Sequence, residues 1–255
     1  MADKFAIVTG ASSGIGYHLA LLALKNGYDV LGVADTPFDQ PLDGAETLQA
    51  DLATIEGVDR LLERAGGRRI DLLCANAGHG LGRAFLDQDV ADWRHVIDTN
   101  ITGTIYLLQK VLPTMVARNA GKVLVTGSIA GYIPGSFQAV YNGTKAFVDN
   151  FTEALRNELK DSDGVTLTTL MPGPVETEFF ARGDMLDTSV GTDPNKSDPA
   201  DVAQDGWDAV MGGKASIFSG WKTKLQGTLA NMTPGAVLAE QHRGMAEPGT
   251  AEKND

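Results

Sequence analysis

Cysteine is almost missing from this chain of 255 residues: Cys74 stands alone, so no disulfide can form within it. Its place in the apolar run Ile70-Asp-Leu-Leu-Cys-Ala predicts a buried structural thiol. Histidine is scarce as well. Four histidines scattered along the sequence, with one thiol, offer no ligand cluster, and no metal site is expected. Basic residues are outnumbered, 21 Lys and Arg against 33 Asp and Glu, and a net charge of -12 repels phosphate polymers and anionic lipid. Neither nucleic acid nor a membrane is therefore an expected partner. No apolar run approaches the roughly 18 residues of a spanning helix, and Met1-Ala-Asp-Lys leads straight into a strand pattern rather than a secretory leader. The expectation is a cytoplasmic protein. Internal repeats are missing too, which sets aside solenoids and propellers.

What is present is an alternation of strand and helix patterns. Phe5-Ala-Ile-Val-Thr reads as a strand and leads into the turn Thr9-Gly-Ala-Ser-Ser-Gly-Ile-Gly16. Ile15, Leu19 and Leu22 then recur at helical spacing as far as Lys25, Gly27 stops the run, and Asp29-Val-Leu-Gly-Val-Ala is a second strand. This is one βαβ unit. After Asp35 two prolines and a glycine leave room only for a shortened loop before the strand Glu46-Thr-Leu-Gln. Further strands are predicted at 70–75, 122–126, 165–170 and 215–219. Helices are predicted at 58–65, 91–96, 101–117 (interrupted or bent near Pro113), 138–160 and 199–211. Such alternation predicts an α/β fold: one Rossmann-type, doubly wound parallel sheet of about seven strands with helices on both faces. A single domain over 1–246 is expected to carry a substrate lid at about 178–198 and a helical C-terminal extension at 221–245, broken at Pro234-Gly235. The tail 247–255 has a composition that predicts disorder.

Gly10, Gly14 and Gly16 sit between the first strand and the first helix, where a bare backbone can approach a pyrophosphate and the helix N-terminus offers free N–H groups. Their spacing is not the common G-x-G-x-x-G. Asp35, about twenty residues beyond that turn at the end of the second strand, can accept both hydroxyls of an adenosine ribose and would repel a 2′-phosphate. Neither Ser13 nor Thr36 supplies a countercharge. NAD(H) is therefore expected in preference to NADP(H).

Tyr141 and Lys145 are four residues apart on a predicted helix, which places phenol and ammonium on one face. A nearby cation favours the phenolate, so Tyr141 can serve as a general base. Ser128 closes the strand run Gly121-Lys-Val-Leu-Val-Thr-Gly, at a carboxyl end, where open parallel sheets place their ligands.

Taken together these residues resemble the short-chain dehydrogenase/reductase family. The glycine turn, Asp51-Leu52, Asn76-Ala-Gly78, Asn100, Ser128 thirteen residues before Tyr141, Tyr141-xxx-Lys145 and Pro172-Gly-Pro-Val-Glu-Thr177 are similar to the family's motifs in order and spacing. The resemblance implies a nicotinamide-dependent alcohol dehydrogenase or ketone reductase, acting on CH–OH groups as a homodimer or homotetramer. Tyr141 would be the acid/base, Lys145 would hold the nicotinamide ribose and depress the tyrosine's pKa, and Ser128 would bind the substrate oxygen. Asn100 would anchor a water of the proton relay; bracing a helix bend is compatible with that role and could also be its whole part. Ser12, Ser13, Ile15, Ala77, Pro172, Gly173, Val175 and Thr177 join the cofactor set.

Departures from the family pattern are the short segment after Asp35, Gly127 where many members carry serine, and the run from Gly220-Trp in place of a glycine-rich closing strand. For substrate, Ser128, Ile129, Ile133, Phe137, Tyr141, Phe179 and Phe180, with Tyr132 and His79, suggest a small hydrophobic alcohol or ketone. Arg182 is expected to be solvated. The alternatives are a 3-oxoacyl-thioester reductase working on acyl carrier protein or CoA, and a non-catalytic dinucleotide sensor.

Overall fold

The computed structural model describes residues 4–230 and 232–251. Seven strands form one sheet: β1 (Lys4–Thr9), β2 (Tyr28–Ala34), β3 (Glu46–Gln49), β4 (Ile70–Ala75), β5 (Gly121–Thr126), β6 (Val165–Met171) and β7 (Ser216–Phe218). Every pairing is parallel and the order is β3-β2-β1-β4-β5-β6-β7, so the strand order reverses beside β1. That reversal opens a crevice at the carboxyl ends of β1 and β4. Around the sheet lie α1 (Gly14–Lys25), α2 (Ile55–Ala65), α3 (Val90–Ile97), α4 (Thr104–Ala117), α5 (Ala139–Glu158), α6 (Phe179–Arg182), α7 (Ser189–Thr192), α8 (Pro199–Met211), α9 (Trp221–Ala230) and α10 (Gly235–Ala246).

Alternate residues of the strands feed two cores. Phe5 and Ile7 of β1 and Leu73 of β4 join Leu61 of α2, Leu108 of α4 and Val148 of α5 on one face. Ala6 and Val8, with Leu72 and Cys74, join Leu19 of α1 and Val202 and Trp207 of α8 on the other. Strands buried on both faces explain why their sequences are continuously apolar rather than alternating. Cys74 is fully buried and its thiol is pushed up to about 12, which leaves no thiolate at neutral pH.

The stretch after Asp35 forms no helix. Phe38 and Leu42 fold back from it onto the second core, where Leu42 lies against the face of Gly32. Two expectations need correction. α4 is not interrupted at Pro113, because Pro113 and Gln109, whose carbonyl it frees, both lie on the exposed side. The irregular turn falls earlier, as a π-type winding at Asp98–Gly103. The tail expected to be disordered is ordered over 247–251: Gly249 and Ala251 N–H donate to the Asp187 carbonyl, and buried Thr250 accepts from Ser189 N–H at 2.9 Å. Residues 252–255 lie outside the described residues.

Candidate active site

Thr9 ties three strand ends together. Its hydroxyl accepts from the N–H groups of Asn76 and Ala77, both at 2.9 Å, and the Asn76 side chain links the Thr9 carbonyl to the Thr126 hydroxyl. The carboxyl ends of β1, β4 and β5 are thereby held as the floor of a cavity of about 1010 Å³.

At one end of the cavity lies the glycine turn. Gly10 and Gly14 have φ of +66° and +56°, a left-handed backbone that other residues adopt at a cost. A Cβ on Gly16 would strike the Gly10 carbonyl. Ser13 caps α1 without a side-chain hydrogen bond and the first turn carries no acidic residue, so its N–H groups remain available to an anion. Of the expected cofactor set, Gly10, Ser12, Ser13, Ile15, Asp35, Asp51, Leu52, Asn76, Ala77, Gly78, Tyr141, Lys145, Pro172, Gly173, Val175 and Thr177 all line the cavity; Gly14 and Gly16 do not. A backbone cradle that a Cβ would fill, with a carboxylate at the end of β2, fits a dinucleotide.

Asp35 has company that its sequence context does not show. His79 Nε2 lies 2.8 Å from Asp35 Oδ2, and the His95 ring lies 4.7 Å from that of His79. Two of the four histidines expected to be scattered are thus brought together, and one donor atom from each of Asp35, His79 and His95 falls within 4.8 Å of the others. The His79 hydrogen bond holds the Asp35 carboxyl below the usual range, opposed by burial and reinforced by the Arg182 charge. Arg182, expected to be solvated, lines the cavity.

At the other end Ser128, Tyr141 and Lys145 meet. Ser128 follows β5 and caps the turn Ile129–Tyr132, accepting from Ala130 N–H at 3.1 Å. Tyr141 and Lys145 rise from the first turns of α5; the Lys145 ammonium lies 5.9 Å from the Tyr141 ring centre and donates to the Thr126 carbonyl at 2.8 Å. The expected lowering of the phenol is reversed. Burial pushes Tyr141 up to about 12, against a smaller opposing contribution from Ser128. The Phe179 ring, 5.0 Å from that of Tyr141, closes over it.

Asn100 does not line the cavity. Its amide donates to the His79 carbonyl and the Thr144 hydroxyl, both at 2.9 Å, and its oxygen accepts from His79 N–H at 2.8 Å. The side chain therefore ties the turn after β4 to α5 through the π-type winding. These bonds match the bracing role expected of Asn100, which is compatible with a place in the proton relay.

Among the expected substrate residues, Ser128, Ile129, Ile133, Tyr141, Phe179 and Phe180 line the cavity, as does His79. Phe137 and Tyr132 do not. Phe137 has φ +64° and turns its ring beneath the Arg243 guanidinium of α10, while Tyr132 packs on Phe218. Sequence reasoning missed Gln138 and the contribution of the C-terminal helices: Thr223, Gln226, His242 and Met245 also face the cavity. His242 Nδ1 lies 2.9 Å from the Ser136 carbonyl, so Nδ1 carries the proton, and burial holds the imidazole below its ordinary pKa. The segment 178–198 closes the remaining side. Arg83 binds it through Asp184 and Asp187, each at 2.6 Å, and Gly82 N–H donates to the Gly183 carbonyl.

A glycine cradle at a topological switch point, opening into a pocket floored by Ser128, Tyr141 and Lys145, defines a Rossmann-type oxidoreductase. Comparison with known proteins gives the particular family. The family model for short chain dehydrogenases matches residues 4–185, and this chain belongs to that family. It is 33% identical over 215 residues to an uncharacterized oxidoreductase of Staphylococcus aureus (strain MW2), covering 80% of this chain and 89% of the relative. A short-chain dehydrogenase from Sphingobium yanoikuyae in complex with NADPH superposes with a TM-score of 0.78 at 25% identity, over 90% of this chain and 94% of that one. One from Burkholderia phymatum in complex with NAD gives the same TM-score at 23% identity, over 89% and 92%.

Proposed function

We propose that this protein is an NAD(H)-dependent oxidoreductase that interconverts a hydrophobic secondary alcohol and its ketone, with Tyr141 as acid/base. One observation carries the reading: Ser128, Tyr141 and Lys145 line the same cavity as the Gly10 turn and Asp35. The bound nicotinamide supplies the hydride chemistry. The Gly10 turn and the N-terminus of α1 would hold the pyrophosphate, Asp35 the adenosine ribose, and Lys145 the nicotinamide ribose. In the oxidation direction Tyr141 takes the hydroxyl proton in its ionised form, which burial disfavours and the Lys145 ammonium favours, and Ser128 donates to the substrate oxygen as its charge develops. In reduction the protonated phenol returns that proton to the carbonyl oxygen. Phe179, Phe180, Ile129 and Ile133 give the apolar wall that favours a hydrophobic substrate, and the segment 178–198 acts as the lid that excludes water.

Arg182 favours a second reading. Its charge offsets Asp35, which eases admission of a 2′-phosphate and so supports an NADPH-dependent 3-oxoacyl-thioester reductase. The distinguishing experiment follows NADH formation with a panel of hydrophobic secondary alcohols, beside NADPH consumption with a 3-oxoacyl thioester. NAD-dependent alcohol turnover is expected, reduced about 10²- to 10⁴-fold in Tyr141→Phe with NAD affinity kept. Full activity in that variant, or turnover of the thioester alone, overturns the reading.

A further inference from the structure

Asp149 lies one helical turn beyond Lys145 on α5, two beyond Tyr141, so the three side chains share one stripe. Its carboxylate oxygens are shut off from solvent, and neither makes a hydrogen bond of normal geometry. Such orphaned buried oxygens call for an explanation, since leaving a charged acceptor unpaired is costly. The backbone is shaped around this carboxylate. A Cβ on Gly127 would run into Oδ1 and one on Gly131 into Oδ2, so two glycines of the catalytic loop leave the space it fills. Gly127 N–H donates to Leu170 and Ile129 N–H to Pro172. The intervening Ser128 N–H faces Asp149 and favours its ionised form.

We propose that Asp149 is a positioning residue for the catalytic group: walled in behind Lys145, its carboxylate is the countercharge that keeps the buried ammonium protonated, and it seats the loop that presents Ser128. The proposal rests on the role assigned above to Lys145 and Tyr141. Electrostatics agree in direction. Burial drives Lys145 down and Asp149 up, and each draws the other back toward its charged form. The other titratable groups near Asp149 are Tyr141 on α5 and Tyr132 on the turn Ile129–Tyr132, both of whose phenols its charge raises. Glu153 lies a turn further along α5, exposed and paired with Arg156. Lys145 is therefore the cation of the group.

The test reads Lys145 directly, by the pH dependence of its ¹⁵Nζ NMR signal in lysine-labelled protein, assigned by its loss in Lys145→Arg. In Asp149→Asn the Lys145 titration is expected to fall by about one pH unit or more, with the alkaline limb of the kcat/KM profile moving by the same interval. A titration that stays in place while Tm drops makes Asp149 a packing residue only and overturns the proposal. The double variant Gly127→Ser with Asp149→Ala fills the vacated space with a neutral group and is expected to reproduce the shift. Wild-type protein gives an independent reading: Asp149 Cγ and Lys145 Nζ are expected to share inflections as a coupled pair, and two unrelated single-step curves overturn the proposal. Failure of the alcohol assay with the Nζ shift intact overturns the proposed reaction and leaves the charge coupling of Asp149 and Lys145 standing.

Discussion

Asp35 and His79 are hydrogen-bonded at 2.8 Å across the nucleotide groove, joining the end of β2 to the turn after β4. A carboxylate held below its usual pKa can only accept, so the proton lies on His79 Nε2. A ribose diol held by Asp35 would compete for the same Oδ2, and would replace or share this bond.

On the proposed reading Asp35 is the lever of cofactor choice. Replacing it in Asp35→Ala removes the repulsion of a 2′-phosphate, and Thr36→Arg beside it adds a cation with the fork geometry that phosphate accepts. The double variant is expected to raise the kcat/KM ratio of NADP over NAD by about tenfold to a hundredfold, the range of one charge-assisted hydrogen bond. Steady-state kinetics with both cofactors at fixed pH and salt checks it; an unchanged ratio would place the selectivity elsewhere, with Arg182 the first residue to replace.

On the proposed reading the segment 178–198 is a lid, and Arg83 bridges it at two points, Asp184 and Asp187. Its own φ is +76°, an unfavourable backbone for arginine, kept in place by the bridges to Asp184 and Asp187. Bridges of this partly exposed kind contribute about 0.2–1 kcal/mol each, so Arg83→Gln is expected to raise KM about two- to tenfold. Added salt should raise the wild-type KM and change that of the variant little. Faster amide hydrogen exchange across 179–192 in the variant, with the sheet unaffected, would locate the change; uniform exchange would refute the closing role.

Local features were legible before the structure, and distant pairings were not. The parallel order follows from strands buried on both faces, and the Tyr141–Lys145 stripe from a four-residue spacing, because both are set by chain geometry within one or two elements. Asp149 belongs to that same stripe, but only the packing of Gly127 and Gly131 against it shows that it is buried rather than solvated. His79 and His95 meet because the turn after β4 folds against α3, which sequence spacing does not encode. Phe137 was misplaced for a conformational reason: an apolar residue beside the catalytic loop suggests a wall, and its left-handed backbone sends the ring outward to Arg243. His242 reaches the cavity through a contact with Ser136 that spans 106 residues of chain.

That contact sets a pH dependence of stability. Burial lowers the pKa of His242 in the folded protein, while the unfolded chain titrates near the ordinary value of about 6.5. Above that value the imidazole is neutral in both states and the fold bears no cost. Below it the unfolded chain takes up a proton more readily than the native one, so stability falls as pH drops from about 6.5 toward the folded pKa, then levels. His242→Phe removes the titration together with the bond to the Ser136 carbonyl. The variant is expected to melt lower than wild type at neutral pH, yet to lose less Tm between neutral pH and about pH 5. Thermal unfolding of both proteins across that range checks the sign. Parallel curves would mean that His242 protonates as easily in the folded cavity as in the open chain, and that the Ser136 contact does not depend on a neutral ring.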